Sequence, residues 1–506
     1  MTVYFINEGL SASNSGIEHA EFDRARVFRR NQVPFKFVTS VFIPKLHSIL
    51  PMFAIRDSES INMFDYFQGA LDIPTNPMRI QDVDFGVDVE TKEDGLHHMA
   101  YVGEHFLGRI VLSSEDIVAR IEYFDPYGNL YQVSHYDSRG FETLKQWYSP
   151  DNQIEVEVWL DVNGKPVIEK TYTPTRSGRM ETWKVHNRTF KSLDELRLYF
   201  YNQLNMEGDN MFLIDRTNVA EWQLLQLDKP AYVVFVLHNH QASDATNPDI
   251  ELLNDNYEWS LFNMDNWDAI VSSTPQQTRD IKNRWGDHHK CFTVPVGVIP
   301  EIQFQVDPIP MSARKHHSML ATARVAPEKG MDKMIKALAI ARKTIPDLTL
   351  DLYGYVDHGN DDLAMKRINE ALKELDDPSA VTLHGHTKDV GPLHESHQVY
   401  LIFSQMEGFN IALMEGQSKG MVSITNDVSY GPNELVKDGL NGYIVGYEDV
   451  EAFAEKMVEL FSDDEKLQTM SDNAYDLSNR YSEHEVWKAW EPIFADFEAW
   501  VGDHNR

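Results

Sequence analysis

The sequence predicts an α/β protein of two doubly wound, Rossmann-like halves facing a cleft, with an antiparallel β-meander inserted in the first half. Three observations predict it: a strand–helix–strand opening, a long period-two stretch that interrupts it, and a second strand–helix alternation after a proline-bearing linker.

The opening VYFIN at 3–7 reads as a strand, GLSASNSG as a small-residue loop, 16–30 as a helix and FKFVTS as a second strand. From about 84 to 190 the period becomes two. Turn signals recur there at Asp125-Pro126-Tyr127-Gly128-Asn129, Ser138-Arg139-Gly140, Ser149-Pro150-Asp151-Asn152 and Asn163-Gly164, the pattern of consecutive hairpins. After a helix at 193–205 the alternation returns with FLID, YVVFVLH, AIVSS, a helix at 274–285 and CFTVPVG. A linker at 298–311 leads to SMLATAR, LTLDLYGY, VTLHGH, VYLIFS and MVSITND, each strand followed by a helix. The expected division is therefore 1–83 and 191–310 for the first half, 84–190 for the meander and 311–480 for the second half. A last helix at 482–501 carries Trp and Phe at helical spacing, a packing face, and segment 481–506 is expected to pack back on the first half.

Composition narrows the function. With 79 acidic and 46 basic residues the net charge is −33, which argues against nucleic acid and anionic lipid as partners, since each phosphate contact wants Lys or Arg. An anionic ligand needs a local cationic pocket. The single cysteine, Cys291, excludes an internal disulfide and any cysteine-based metal site. No window has about 18 uninterrupted apolar residues, and the N-terminus lacks a basic and apolar leader. A cytoplasmic protein, at most peripheral to a membrane, is the expectation.

Two stretches carry chemistry. In SQMEGFNIALMEG, Glu407 sits in the loop after strand VYLIFS and Glu415 eight positions on. Were the intervening segment helical, a rise of about 1.5 Å per residue would hold them roughly 10–12 Å apart. That is too far for two acids flanking one bond and suits two ends of an elongated ligand. Gly408 allows close backbone approach, and the N–H groups of Phe409, Asn410 and Ile411 at the helix start can receive a phosphate or a hydroxyl. An ordinary strand–loop–helix with a capping acid reads as well. In ATARVAPEKG, Arg324 ends a strand and Lys329 follows five residues later at a helix mouth, a pocket for a diphosphate. The alternative is two solvated charges, with Lys329 paired to Glu328.

R-x4-K followed by E-x7-E, both after strands of the second half, resembles the GT-B retaining glycosyltransferases of family 4. SASNSGIEHAEFDRARVF, INMFDYFQGA, the meander, VVFVLHNH, IVSSTPQQ, VPVG and SYGPNELVKDGLNGY resemble one subgroup. It comprises bacterial enzymes that modify Ser-Asp-repeat and serine-rich adhesins, together with the wall teichoic acid α-N-acetylglucosaminyltransferases. The resemblance implies that Arg324 and Lys329 hold the diphosphate and neutralise leaving UDP, that Glu407 and the N–H groups of Gly408 to Ile411 meet the transferred sugar and phosphate, and that Glu415 grips the ribose. It places His384, Gly385 and His386 at the uracil, Gly16 in a turn near the phosphates and His238 near the sugar.

The resemblance further implies a donor of UDP-GlcNAc or UDP-glucose, and an acceptor that is a serine-rich protein or, alternatively, teichoic acid. It implies no cofactor or metal, and a homo-oligomer or a complex with a related glycosyltransferase-like subunit. An inactive partner of an active enzyme is a weaker reading, because such partners lose the donor-site charges that are present here. His240, two positions after His238 where relatives have three, reads as a loop histidine. The pairs His97-His98, His288-His289 and His316-His317 are adjacent, so neither helix nor strand aims both rings at one metal. Asp82-Val83-Asp84 has the D-x-D form of the other glycosyltransferase fold, but lies at the edge of the meander.

Overall fold

The computed structural model describes residues 1–176, 178–245, 247, 250 and 252–504. It divides into two compact units, residues 1–18 with 33–233, and residues 19–32 with 234–506.

In the first unit, strands β1 (Val3–Asn7), β2 (Phe35–Thr39) and β3 (Ser60–Asn62) run parallel, β2 lying between the other two. Helix Gly16–Arg30 starts where expected. The Ser15 N–H donates to the Glu18 carboxylate (2.8 Å), the Ile17 N–H to the Ser15 hydroxyl (3.2 Å), and Arg29 and Arg30 occupy the last turn. The first-turn acid and last-turn cations both complement the helix dipole.

Ten strands follow: β4 (Glu90–Asp94), β5 (His97–Val102), β6 (His105–Ser114), β7 (Ile117–Phe124), β8 (Leu130–Tyr136), β9 (Glu142–Tyr148), β10 (Ile154–Leu160), β11 (Pro166–Thr175), β12 (Gly178–Val185) and β13 (Arg188–Phe190). Each pairs with its sequence neighbour, so they form one antiparallel meander. The Asp-led turns close it: the Asp125 carboxylate accepts from the N–H groups of Tyr127 (2.9 Å) and Asn129 (2.8 Å), and Asp161 does the same for Asn163 and Lys165. At one edge, all five residues of β4, ETKED, are exposed; at the other, β13 is three residues long.

One face of the meander carries a polar ladder. Glu122 pairs with Arg109 and with Arg120 (2.7 Å). Next in the row His135 bonds Gln146 (2.9 Å), Gln146 bonds Glu157 (2.8 Å), and Tyr172 donates to Glu157 (2.8 Å). The phrase INMFDYFQGA explains how the meander is held. Asn62 caps helix Met63–Gln68 by accepting from Phe64, and Gln68 donates to the carbonyls of Thr143 (3.0 Å) and Leu160 (2.6 Å). Buried Arg139, in the β8–β9 turn, bonds Asp65 and Asp137 (both 2.7 Å), and His47 reaches Asp65 (2.9 Å) and Asp57 (2.7 Å). Phe64 packs on Trp159 (5.0 Å), which stacks on Trp183. After helix Leu193–Leu204, β14 (Met211–Ile214) runs parallel beside β1.

In the second unit, β15 (Tyr232–Val236), β16 (Ala269–Ser272) and β17 (Cys291–Thr293) are parallel neighbours. Helix Pro275–Trp285 is capped by Thr274, whose hydroxyl accepts from Gln277. A six-stranded parallel sheet follows from β18 (Ser318–Thr322), β19 (Thr349–Tyr353), β20 (Val381–Leu383), β21 (Val399–Ile402), β22 (Val422–Asn426) and β23 (Gly442–Val445). Its order is β20-β19-β18-β21-β22-β23, the doubly wound arrangement, with the change of direction between β18 and β21. Its strands are apolar runs because helices cover both faces, and Leu350, Val399, Ile424 and Phe453 lie in its core. The C-terminal helix Glu483–His504 buries Trp490, which meets Phe28 edge-on (5.2 Å), and Glu483 bonds Arg26 (2.7 Å). Among the described residues no helix is long and apolar enough to cross a membrane.

Candidate active site

A doubly wound sheet leaves its opening where the chain turns away in opposite directions from two adjacent strands. Here those strands are β18 and β21. The loop after β18 carries Arg324 and Lys329, and the loop after β21 carries Glu407. The two loops meet: Lys329 Nζ lies 2.8 Å from Glu407 Oε1, the Ser404 hydroxyl donates to the same oxygen (2.6 Å), and the Gln405 N–H donates to the Glu328 carbonyl (2.8 Å).

The alternative Lys329–Glu328 pairing is not found; two others stand in its place. Glu328 takes Arg324, which also bonds Asp357. Lys329 takes Glu407, because the turn Pro327–Lys329 aims it across the opening. The Glu407 side chain is 11% exposed and Lys329 21%, so the pair is partly desolvated and its Coulomb energy is less screened than on an open surface.

The backbone around Glu407 is tightly placed. A Cβ at Gly408 would stand 2.1 Å from the His238 carbonyl oxygen, and one at Gly431 would stand 1.7 Å from that of Phe409. Only glycine permits these approaches. His238, just past β15, is thus in van der Waals contact with the loop that holds Glu407, and its N–H donates to the Tyr257 hydroxyl (3.1 Å). Buried Phe409 packs edge-on against Tyr481 (5.4 Å). Asn410, at φ 72, caps the next helix by accepting from Leu413 (2.9 Å).

That helix spans only Ile411–Ser418. The spacing derived for Glu407 and Glu415 assumed helix throughout, and the observed loop removes that estimate. Half-buried Glu415 is the fifth residue of the helix. Burial and the nearby Asp23 carboxylate push its carboxyl up to about 7. Burial likewise raises Asp23 to about 6 against the pull of Arg26, which it pairs at 2.9 Å. Asp23 and Arg26 belong to helix Gly16–Arg30 and carried no signal in the sequence that tied them to Glu415.

His384 follows β20. Its Nε2 lies 2.9 Å from Asp351 Oδ1, and its ring stacks on Tyr353 at 4.3 Å, nearly parallel. Asp351 also binds His397 (2.8 Å) and Lys315 (2.7 Å). Burial opposes its charge, but these hydrogen bonds outweigh burial and hold the carboxyl well below the usual range. Sequence reading missed Asp351; its signal is a lone acid in the apolar strand LTLDLYGY. Gly385 accepts from the Gly354 N–H (2.8 Å), and His386 lies near Tyr355. Gly16 opens its helix in the first unit, beside the Glu18–Arg216 pair (2.6 Å), with open space around it.

His240 is a loop histidine as expected, lying beyond β15. It is fully buried, stacks on Tyr430 (4.6 Å), accepts the Ala242 N–H at Nδ1 (3.0 Å), and burial lowers it to about 4. Asp82 and Asp84 each accept a local backbone N–H, from Arg79 and Gly86. Of the adjacent histidines, His316 and His317 both turn toward one carboxylate, Asp347, because His317 is in a left-handed turn, neither helix nor strand.

Residues 311–477 match the family of glycosyl transferases group 1, and residues 99–190 match the GtfB middle domain. The fold is that of the GT-B class, and its second half carries the glycosyl transferases group 1 match. The chain is 27% identical over 541 residues to the GtfA subunit of the UDP-N-acetylglucosamine–peptide N-acetylglucosaminyltransferase of Streptococcus gordonii, covering 98% of this chain and 99% of the relative. It superimposes on a chain of the GtfA/B complex with a TM-score of 0.83 at 25% identity, covering 98% of this chain and 99% of that one. It is also 24% identical to the poly(glycerol-phosphate) alpha-glucosyltransferase of Bacillus subtilis, over 97% of this chain and 74% of that protein.

Proposed function

We propose that the protein transfers GlcNAc from UDP-GlcNAc, with retention of the α configuration, to Ser or Thr hydroxyls of a serine-rich or Ser-Asp-repeat protein. The observation that carries this reading is the end-to-end similarity to a peptide N-acetylglucosaminyltransferase subunit, spanning 98% of the chain.

In this reading Arg324 and Lys329 hold the diphosphate, and the Gly408–Ile411 backbone meets phosphate and sugar hydroxyls. As the bond from C1 to the phosphate oxygen breaks, these cations and N–H dipoles take the developing charge without a metal. The acceptor oxygen attacks C1 from the face that UDP leaves, and its proton passes to the departing phosphate oxygen. Glu407, released from Lys329 by the diphosphate, accepts hydrogen bonds from the transferred sugar, and His238 lines its other side. Glu415 takes the ribose hydroxyls, while the His384–Gly385–His386 loop takes the uracil.

The GtfB middle-domain match and the likeness to a chain of a two-protein complex support a working complex with a related glycosyltransferase-like subunit. The test is UDP release and mass spectrometry with a Ser-rich peptide and with poly(glycerol phosphate), each offered UDP-GlcNAc and UDP-glucose in EDTA. Peptide mass increments of one N-acetylhexosamine are expected. Modification of poly(glycerol phosphate) alone would establish the second reading, teichoic acid glycosylation, which the similarity to the Bacillus enzyme favours. Activity that appears only after a divalent ion is added would remove the metal-independent step.

A further inference from the structure

The amino edge of the six-stranded sheet, the edge opposite Arg324 and Glu407, holds a second group of ligand-type side chains. His316 and His317 immediately precede β18, and Asp347 precedes β19 by two residues. The strands are parallel with Ser318 opposite Thr349, and the Thr349 N–H donates to the His317 carbonyl (2.9 Å), so this register brings the three together. His317 sits at φ 50, a conformation that costs a non-glycine residue roughly 1 kcal/mol or more. It turns both imidazoles to one side, their centroids 3.7 Å apart. One ligand atom from each of the three lies within 4.8 Å of the other two. His317 Nδ1 is 2.8 Å from Asp347 Oδ1, and His316 Nε2 is 3.7 Å from Asp347 Oδ2. Only His317 is enclosed, at 15% exposed and edge-on to Phe461, whereas His316 and Asp347 are 70% and 61% exposed.

We propose that His316, His317 and Asp347 bind a borderline-soft divalent transition metal, zinc above all. Two imidazoles and one carboxylate are the donor set such ions select over magnesium or calcium, which prefer all-oxygen shells. Bonds of about 2.0–2.2 Å to zinc put its ligand atoms roughly 3.3 Å apart, within small side-chain rotations of the observed separations. The open positions take water. β18 is five residues long, so at about 3.3 Å per residue the ion lies a strand's length from Arg324. Its effect is to tie the starts of β18 and β19 together, and sugar transfer does not pass through it.

A similar but more open group, Asp265 with His288 and His289, would confuse a titration. The test therefore uses the 506-residue chain carrying H288A, stripped with chelator and titrated with ZnCl2 by calorimetry and thermal shift. Saturable binding with a rise in Tm is expected, weakened about tenfold or more by His316→Ala and by Asp347→Asn. His316 is exposed enough that its removal leaves the fold intact, and UDP release without zinc is expected to be unchanged in that variant. Equal zinc binding with and without His316, no saturable binding by the parent chain, or an equal response to MgCl2 would each overturn the proposal.

Discussion

In the six-stranded parallel sheet the central strands are buried, and Lys329 and Glu407 meet in the loops at the carboxyl edge. In the ten-stranded sheet the polar groups run across the strands themselves, as the ladder through Glu122, Gln146 and Glu157. The parallel sheet gathers a few charges at one point, beside backbone that leaves no room for a Cβ at Gly408 or Gly431. The antiparallel sheet spreads its polar contacts across several strands, with Glu122 and Glu157 buried.

The sharpest way to break this contrast is at the ion pair. Glu407→Gln and Lys329→Met are expected to cut kcat by about 10²–10³-fold, the scale of losing one preorganised charge contact, with near-native circular dichroism. Full turnover in the double variant, read as UDP release, would mean that the chemistry lies elsewhere. In the other sheet the largest effect should be on stability and not on chemistry. Arg139→Ala strands the buried Asp65 and Asp137, a loss of about 3–5 kcal/mol, measured by denaturant unfolding.

A smaller change comes from Asp351→Asn, which frees the His384 ring. The expectation is a KM for the UDP-sugar raised about tenfold with kcat held, the scale for loss of a group that orients a ligand-contacting histidine. Smallest is a pH effect at Glu415. Its folded carboxyl is raised to about 7 from an ordinary 4.5, so between those values the folded state keeps a proton the unfolded state has lost. Stability of the ligand-free protein should therefore decline as pH rises through that window. Glu415→Gln should flatten the decline in a Tm-against-pH series.

Much of the fold was legible because it depends on local pattern. VYFIN, helix Gly16–Arg30 and the Asp-led turns are each specified by residues a few positions apart. The site was legible as a roster but not as a geometry. Lys329 and Glu407 are 78 residues apart, and nothing local says that each is the other's partner. Periodicity could not show that the helix waits until Ile411, because Asn410 caps it from a left-handed conformation. Asp23 beside Glu415, and Asp351 beneath His384, are encounters of tertiary packing. Helix and strand periods say nothing of His316 and His317 beside Asp347, because His317 is in neither.

The edge strand ETKED has a consequence for assembly. A sheet of ten strands with an unpaired rim is a template on which further chains could hydrogen-bond without limit. Four charged side chains in β4, all in solvent, make that rim repellent to a like strand. The opposite rim, three residues of β13, is too short to seed one. The protein thus resists fibre growth along both margins of the meander.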